Sequence, residues 1–256
     1  MQSEFGFSFV SGVPATPEAT EELSRRIGFI RETQCQLSEY SILIRSHIFF
    51  PTDGKFWDFT SDLAKGDTAY TTLALGAHTD NTYFVRSLPI RFLTKPRAAH
   101  FLFAFQTDPC GLQLFHLLSH TNGSGGATLL VDGFYAASIM KELHPQAYDL
   151  LSRVRVPAHA AGDPGALYTT FPSSGYPVLR HERMESAAGG EGGQGELVQV
   201  RWNNDDRSVM RGLKANVVEE WYDAIRLWNK CLTSPDSEYW VQLQPGTAVG
   251  ALIIFS

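Results

Sequence analysis

The triplet His78-Thr79-Asp80 concentrates more chemistry than any other three residues of this chain. On an extended strand, side chains two apart project to the same face, so an imidazole and a carboxylate at this spacing can converge on one ion. They are two of the three protein ligands of a 2-His-1-carboxylate iron(II) site, a geometry that leaves positions open for a co-substrate and O2. The third ligand, a distal His, is expected late in the chain, yet no His follows His181. The pattern reads as an iron oxygenase site with two ligands in view.

Bulk properties bound what can position those residues. A chain of 256 residues fits one domain, here taken as 1–256, with enough length to bury a core. Hydrophobic content of 43% beside 19% charged residues is ordinary for a globular protein. A net charge of −6 argues against a general nucleic-acid binder, which would carry a basic face. Cys35, Cys110 and Cys231 are odd in number and widely spaced, so reduced, buried thiols are expected rather than a zinc or redox motif. The opening Met1-Gln2-Ser3-Glu4-Phe5-Gly6 has no basic and apolar leader pattern, and no apolar run reaches the roughly 20 residues of a membrane helix. The expectation is a soluble cytoplasmic protein, with mitochondria as the alternative, and with no membrane or nucleic-acid partner.

The elements around the triplet are short. Phe5, Phe7 and Phe9 alternate with small or polar residues, as in a strand with one buried face. Thr16-Pro17-Glu18 marks a helix start, with Leu23, Ile27 and Ile30 as its apolar stripe. Strands are expected over 111–117, 128–131, 196–202 and 240–243, with a turn at 122–126. Asn216-Val217-Val218-Glu219 resembles a capping box, opening a helix to about Cys231 with Trp221, Ile225 and Trp228 inside. Residues 187–195 read as a Gly-rich solvated loop. Short strands with two or three helices suit a mainly β chain with flanking helices, a double-stranded β-helix or jelly roll.

The setting of the triplet carries a resemblance. Lys55-Phe56-Trp57-Asp58-Phe59-Thr60 and Gly66-Asp67-Thr68-Ala69-Tyr70 lead into it. Pro109-Cys110-Gly111-Leu112-Gln113, Gly125-Gly126-Ala127-Thr128-Leu129-Leu130-Val131-Asp132-Gly133 and Arg201-Trp202-Asn203-Asn204-Asp205-Asp206-Arg207 follow it. Together they resemble the trimethyllysine dioxygenase and γ-butyrobetaine hydroxylase family, within the wider taurine dioxygenase-like group. The resemblance implies Fe(2+) at His78 and Asp80, 2-oxoglutarate as co-substrate with Thr128 on its carboxylate, and L-ascorbate as an accessory reductant. It implies O2 and trimethyllysine as small-molecule partners, with no catalytic side chain beyond the metal ligands; a homodimer is left open. Trp57 and Tyr70, which lie 21 and 8 residues before His78, match the family's aromatic cage for a quaternary ammonium. Such a cation donates no hydrogen bond and is held by ring faces. Asp67 can pair with the α-ammonium of trimethyllysine, which γ-butyrobetaine lacks. Arg201, Asn203 and Asn204 are the candidates for the substrate carboxylate, the alternative for the asparagines being a polar turn. His116 and His120 read as structural histidines at a strand end.

Three stretches interrupt the family pattern: 35–53, 85–106, and a tail of aberrant sequence, 250–256, where the fold would be incomplete at its C-terminus. They read as translated introns, since Val85 codons begin GT and Gln106 can be CAG, the letters of the two splice borders; the alternative is real insertions, with Arg86, Arg91, Lys95 and Arg97 among Phe and Leu forming a membrane-surface segment. Three functional readings follow. The first is hydroxylation of N6,N6,N6-trimethyllysine at C3 in carnitine biosynthesis, impaired in this chain by the missing distal His and the missing 2-oxoglutarate Arg. The second is γ-butyrobetaine hydroxylation. The third, of another class, is a non-catalytic or misfolded product of a defective gene model.

Overall fold

The computed structural model of the chain describes residues 6–28, 30, 71, 73–83, 111–120, 123, 125–160, 169–170, 173–183 and 194–252. The stretches 35–53 and 85–106 and the residues Trp57, Asp67 and Tyr70 lie outside them. Among the described residues are nine strands and four helices.

Sequence-distant strands meet in the sheet that carries Gln113, which bonds Asp80. The strand β1 (Phe7–Val10) and the strand β2 (Leu112–Leu117) flank β9 (Thr247–Leu252), all antiparallel. Phe9 and Phe115 stand opposite Val249 on its two sides. The alternation in β1 buries Phe7 better than Phe9, which is 38% exposed, so the expected fully buried Phe face is only partly formed. Phe7 instead stacks on Tyr239, ring centroids 5.7 Å apart. The tail expected to depart at Gly250 is strand through Leu252, with Gly250 paired to Ser8 on one side and Leu114 on the other. A second pair joins β3 (Thr128–Val131) to β8 (Glu238–Val241). Leu130, Leu243 and Val249 pack between these two sheets.

The larger core lies under three helices. The helix α1 (Pro17–Ile27) starts where the Thr16 hydroxyl accepts from the Ala19 amide at 3.2 Å, as its sequence predicts. It buries no residue, and Ile27 is 46% exposed, so the expected apolar stripe does not form. The contact that docks it is polar: Thr20 Oγ1 lies 2.7 Å from His116 Nδ1 on β2. The helices α2 (Gly133–Leu143), α3 (Pro145–Arg153) and α4 (Ala215–Leu232) enclose Met140, Leu151, Trp221 and Trp228, none of which reaches solvent. Asp132 caps α2 through the amides of Phe134 and Tyr135 at 2.9 and 3.0 Å. The capping box expected at Asn216 is not used. Lys214 takes the extended N-cap backbone, which leaves Asn216 inside the first turn, where its amide reaches Glu220 at 3.5 Å. Cys231, on the last turn of α4, is a buried free thiol whose pKa burial pushes up, as its bland reading anticipates.

Against this core lies the antiparallel pair β6 (Leu179–Arg183) and β7 (Gln194–Val200). Leu179, Val178 and Val200 plug into the helices, so the exit of β7 into Arg201 and Trp202 is rigidly placed. His181 is held to α3 by the Tyr148 hydroxyl at 2.8 Å, a structural role that accounts for it. The short pair β4 (Arg155–Val156) and β5 (Tyr176–Pro177) follows α3, and Gly175 enters it with φ +77. A Cβ there would stand 2.0 Å from the Val156 carbonyl oxygen. Gly175→Ala is therefore expected to destabilise the fold by more than the roughly 1–2 kcal/mol of a left-handed non-glycine residue, read as a lower denaturation midpoint at unchanged slope.

Candidate metal centre

His78 and Asp80 do converge. The Nε2 of His78 lies 3.4 Å from Asp80 Oδ1, with 32% and 36% of the two side-chain surfaces exposed. That openness lets a ligand approach without unfolding anything. The segment is not a strand, and Asp80 begins a turn; its conformation is held through Thr79. The Thr79 amide donates to the Trp202 carbonyl at 2.7 Å, and the Trp202 amide donates to the Thr79 hydroxyl at 2.9 Å. This two-way clamp fastens the triplet to the exit of β7 and turns His78 and Asp80 outward. After Asp80 the chain reverses at Asn81, φ 60, a left-handed conformation that Asn tolerates.

Each of the two groups is oriented by a second partner. His78 Nδ1 donates to the Gly76 carbonyl at 2.8 Å, which leaves Nε2 as the ring's ligating atom. The Gln113 side-chain amide donates to Asp80 Oδ2, so that Oδ1 alone faces the imidazole. The turn behind the pair is tied down from below. Arg201 Nη2 donates to the Thr82 carbonyl, and the Asp206 carboxylate accepts from Asn203 Nδ2 at 3.1 Å and from Thr82 Oγ1 at 3.4 Å.

The electrostatics follow from this closeness. Hydrogen bonding to Asp80 is the largest influence on His78; partial burial opposes it, while the Asp80 charge, the Gly76 carbonyl and the Asp206 charge add to it. The result is an imidazole raised to about 9. Burial pushes the Asp80 carboxyl up, but its bonds from His78 and Gln113 and the His78 charge outweigh that, and it ends below the usual carboxylate range. A His whose folded pKa exceeds its unfolded value stabilises the fold fully below about 6.5, the ordinary value, and loses that contribution as pH rises through about 9.

The pair fits a divalent ion. Ligand distances of about 2.1 Å for a first-row ion put two neighbouring donors of an octahedron about 3 Å apart, close to the spacing seen here. Both donors are of the type an iron(II) oxygenase site uses. Among the described residues no group of three His, Cys, Asp or Glu side chains is assembled.

The remaining candidates fall into three groups. Arg201 is buried and lies over the Tyr176 ring at 4.4 Å, lining a small pocket with Thr82, Trp202, Asn203 and Arg207. Asn203 and Asn204 form a polar turn: Asn203 Oδ1 accepts from the amides of Asp205 and Asp206 at 3.0 and 3.4 Å, and Asn204 Oδ1 accepts from Arg207 Nε at 3.2 Å. Thr128 opens β3, opposite Val241, beside the φ +82 glycine Gly126. His120 bonds the Gly125 carbonyl at 3.0 Å, the structural role expected of it. Sequence reasoning missed Thr79, Gln113 and Asp206 as supports. Gln113 had a legible signal, being one of two polar residues in the apolar strand Leu112–Leu117.

An imidazole and a carboxylate held together on a strand-rich scaffold are donor types that a metal-dependent oxygenase site uses. The chain belongs to the family described as taurine catabolism dioxygenase TauD, TfdA, which it matches over residues 90–250. His78 and Asp80 lie just upstream of that span but within the longer pairwise matches. Over 96% of its length the chain is 40% identical to "Trimethyllysine dioxygenase" of Neurospora crassa, covering 48% of that protein. Over 94% of its length it is 38% identical to the Homo sapiens "Trimethyllysine dioxygenase, mitochondrial", covering 45% of it. The Homo sapiens "Gamma-butyrobetaine dioxygenase" is 24% identical over 95% of the chain, with 49% of that protein covered. The chain spans about half the length of the curated relatives it matches.

Two outcomes test the geometry. Thr79→Val keeps the shape but leaves the Trp202 amide without its acceptor, a loss of about 1–3 kcal/mol in a partly buried site; Thr79→Ser should restore most of it, as read by urea denaturation. A divalent ion at His78 must displace the Nε2 proton. At pH 7.5, below the raised pKa of about 9, Mn(II) binding should release about one proton and tighten as pH rises towards 9. Calorimetry in buffers of different ionisation enthalpy measures this, and His78→Ala should abolish the release.

Proposed function

We propose that the protein hydroxylates trimethyllysine at C3, using iron(II) and 2-oxoglutarate. The observation that carries the metal part is the outward-facing His78–Asp80 pair, whose donors stand 3.4 Å apart with each group separately oriented. The substrate part rests on the higher identity to proteins named trimethyllysine dioxygenase, 37–40% against 24% for the butyrobetaine relative. Asp67 supports the same choice, because its carboxylate suits a substrate that retains an α-ammonium. We infer further that the strands belong to a double-stranded β-helix. The antiparallel pairing of β2 with β9 and β3 with β8, one nested inside the other, supports that arrangement.

In this reading His78 and Asp80 hold the iron, which when loaded with co-substrate and O2 supplies oxidation of an unactivated C–H bond. The chain's own residues bind and orient. Trp57 and Tyr70 are assigned to the trimethylammonium group, Asp67 to the α-ammonium, Thr128 to a 2-oxoglutarate carboxylate, and Arg201 with Asn203 and Asn204 to the substrate carboxylate. Arg201 is the strongest of the last three: it is buried, always cationic, and faces the small pocket behind Thr82. The mitochondrial names of the mammalian relatives favour that compartment over the cytoplasm.

The test is turnover. The 256-residue chain and the product of the spliced transcript, sequenced across Phe84–Thr107 and beyond Val249, are assayed for 2-oxoglutarate-dependent succinate release with each substrate. Trimethyllysine-dependent release by the spliced product, lost in Asp80→Ala and at least 10-fold weaker with γ-butyrobetaine, is expected. Preference for γ-butyrobetaine would overturn the substrate assignment, and robust turnover by the 256-residue chain would overturn the reading of its interruptions.

A further inference from the structure

We infer that Gln113 is a positioning residue that makes Asp80 a one-oxygen ligand. The inference rests on the metal reading of His78 and Asp80 and adds to it a residue that reaches the ion only through Asp80. Gln113 sits on β2, opposite Ala251 of the central strand β9, so its backbone is fixed by a ladder on one side of the sheet. On β2 it shares a face with Phe115 and Leu117, and Leu117 packs against the Leu130–Leu243–Val249 cluster. An amide at the end of an apolar stripe has one evident polar use here: its Nε2 donates to Asp80 Oδ2. That leaves Oδ1 turned to His78 Nε2 at 3.4 Å.

The chemical consequence concerns coordination number. A free carboxylate can meet a divalent ion with one oxygen or with both. An oxygenase site needs positions that small ligands can fill, and a two-oxygen carboxylate would take one of them. With Oδ2 engaged by the Gln113 amide, an ion at the pair meets Oδ1 alone, and the position that Oδ2 would occupy stays open to water or co-substrate. Outer partners of this kind orient ligating groups in metal sites generally. Gln113 also links two distant parts of the chain: β2 holds Asp80 from one side, while Trp202 holds Thr79 from the other.

The experiment counts water molecules on bound Mn(II) by water-proton relaxation enhancement at saturating ion, with free Mn(II) followed by electron paramagnetic resonance. Wild type is compared with Gln113→Met, which keeps the length without a donor, and with Gln113→Asn, whose amide is one methylene short. Both variants should carry about one water fewer on the ion, with the metal-free unfolding midpoint close to wild type. In an Asp80→Ala background Gln113→Met should change nothing further. Relaxation equal to wild type in both variants overturns the inference, as does an additional effect in the Asp80→Ala background. Loss of cooperative unfolding in both variants would make Gln113 a structural residue and overturn it too. Binding of Mn(II) that His78→Ala and Asp80→Ala leave intact would instead sink the metal reading, and this inference with it.

Discussion

The candidate site depends on the reciprocal hydrogen bonds between Thr79 and Trp202. A His-x-Asp in a short, partly exposed segment has no reason of its own to keep one conformation, because the segment lies outside the ladders that fix β-strands. Thr79 provides one: its amide and hydroxyl both engage Trp202, at 2.7 and 2.9 Å. Trp202 is in turn held in place: it is 7% exposed, and its ring lies against that of Trp221, a wholly buried residue of α4. The helical core is thus connected to the metal-facing groups by two residues. A partly buried hydroxyl that accepts from a backbone amide is costly to replace, since its loss leaves the Trp202 amide without that partner.

A second attachment comes from the sheet. Sequence-distant strands meet there, with β9 pairing both β1 and β2. This places Gln113 beside Asp80 across 33 residues of sequence, while Trp202 lies 123 residues from Thr79. Contacts of such separation are assembled only when the whole fold forms. Opposing attachments also explain how His78 and Asp80 remain about a third exposed yet oriented: Nε2 and Oδ1 face each other, and their rear atoms are engaged by Gly76 and Gln113.

How much of this was legible from residues depends on range. Local signals read well: Thr16 as a cap, Thr128–Val131 as a strand, and Trp221 and Trp228 as a buried stripe. Local signals also misled where tertiary context won. Lys214 rather than Asn216 starts α4, and α1 buries none of its apolar residues. The helices α2 and α3 went unassigned although Asp132 and Pro145 mark their starts. His78 and Asp80 were visible because ligand types at a spacing of two are a local pattern. Their supports were not, because Gln113, Trp202 and Asp206 acquire roles only through pairings that no window of sequence contains. Asn203 and Asn204, read as substrate contacts with a polar turn as alternative, do make that turn.

The central claim is that His78 Nε2 and one oxygen of Asp80 hold a divalent ion. Crystals of the chain soaked in Mn(II), with diffraction recorded near the manganese absorption edge, test it directly. An anomalous peak about 2.1–2.2 Å from His78 Nε2 and from Asp80 Oδ1, with Oδ2 still on the Gln113 amide, is the result predicted. A peak elsewhere on the chain, with His78 and Asp80 still joined only to each other, would contradict it.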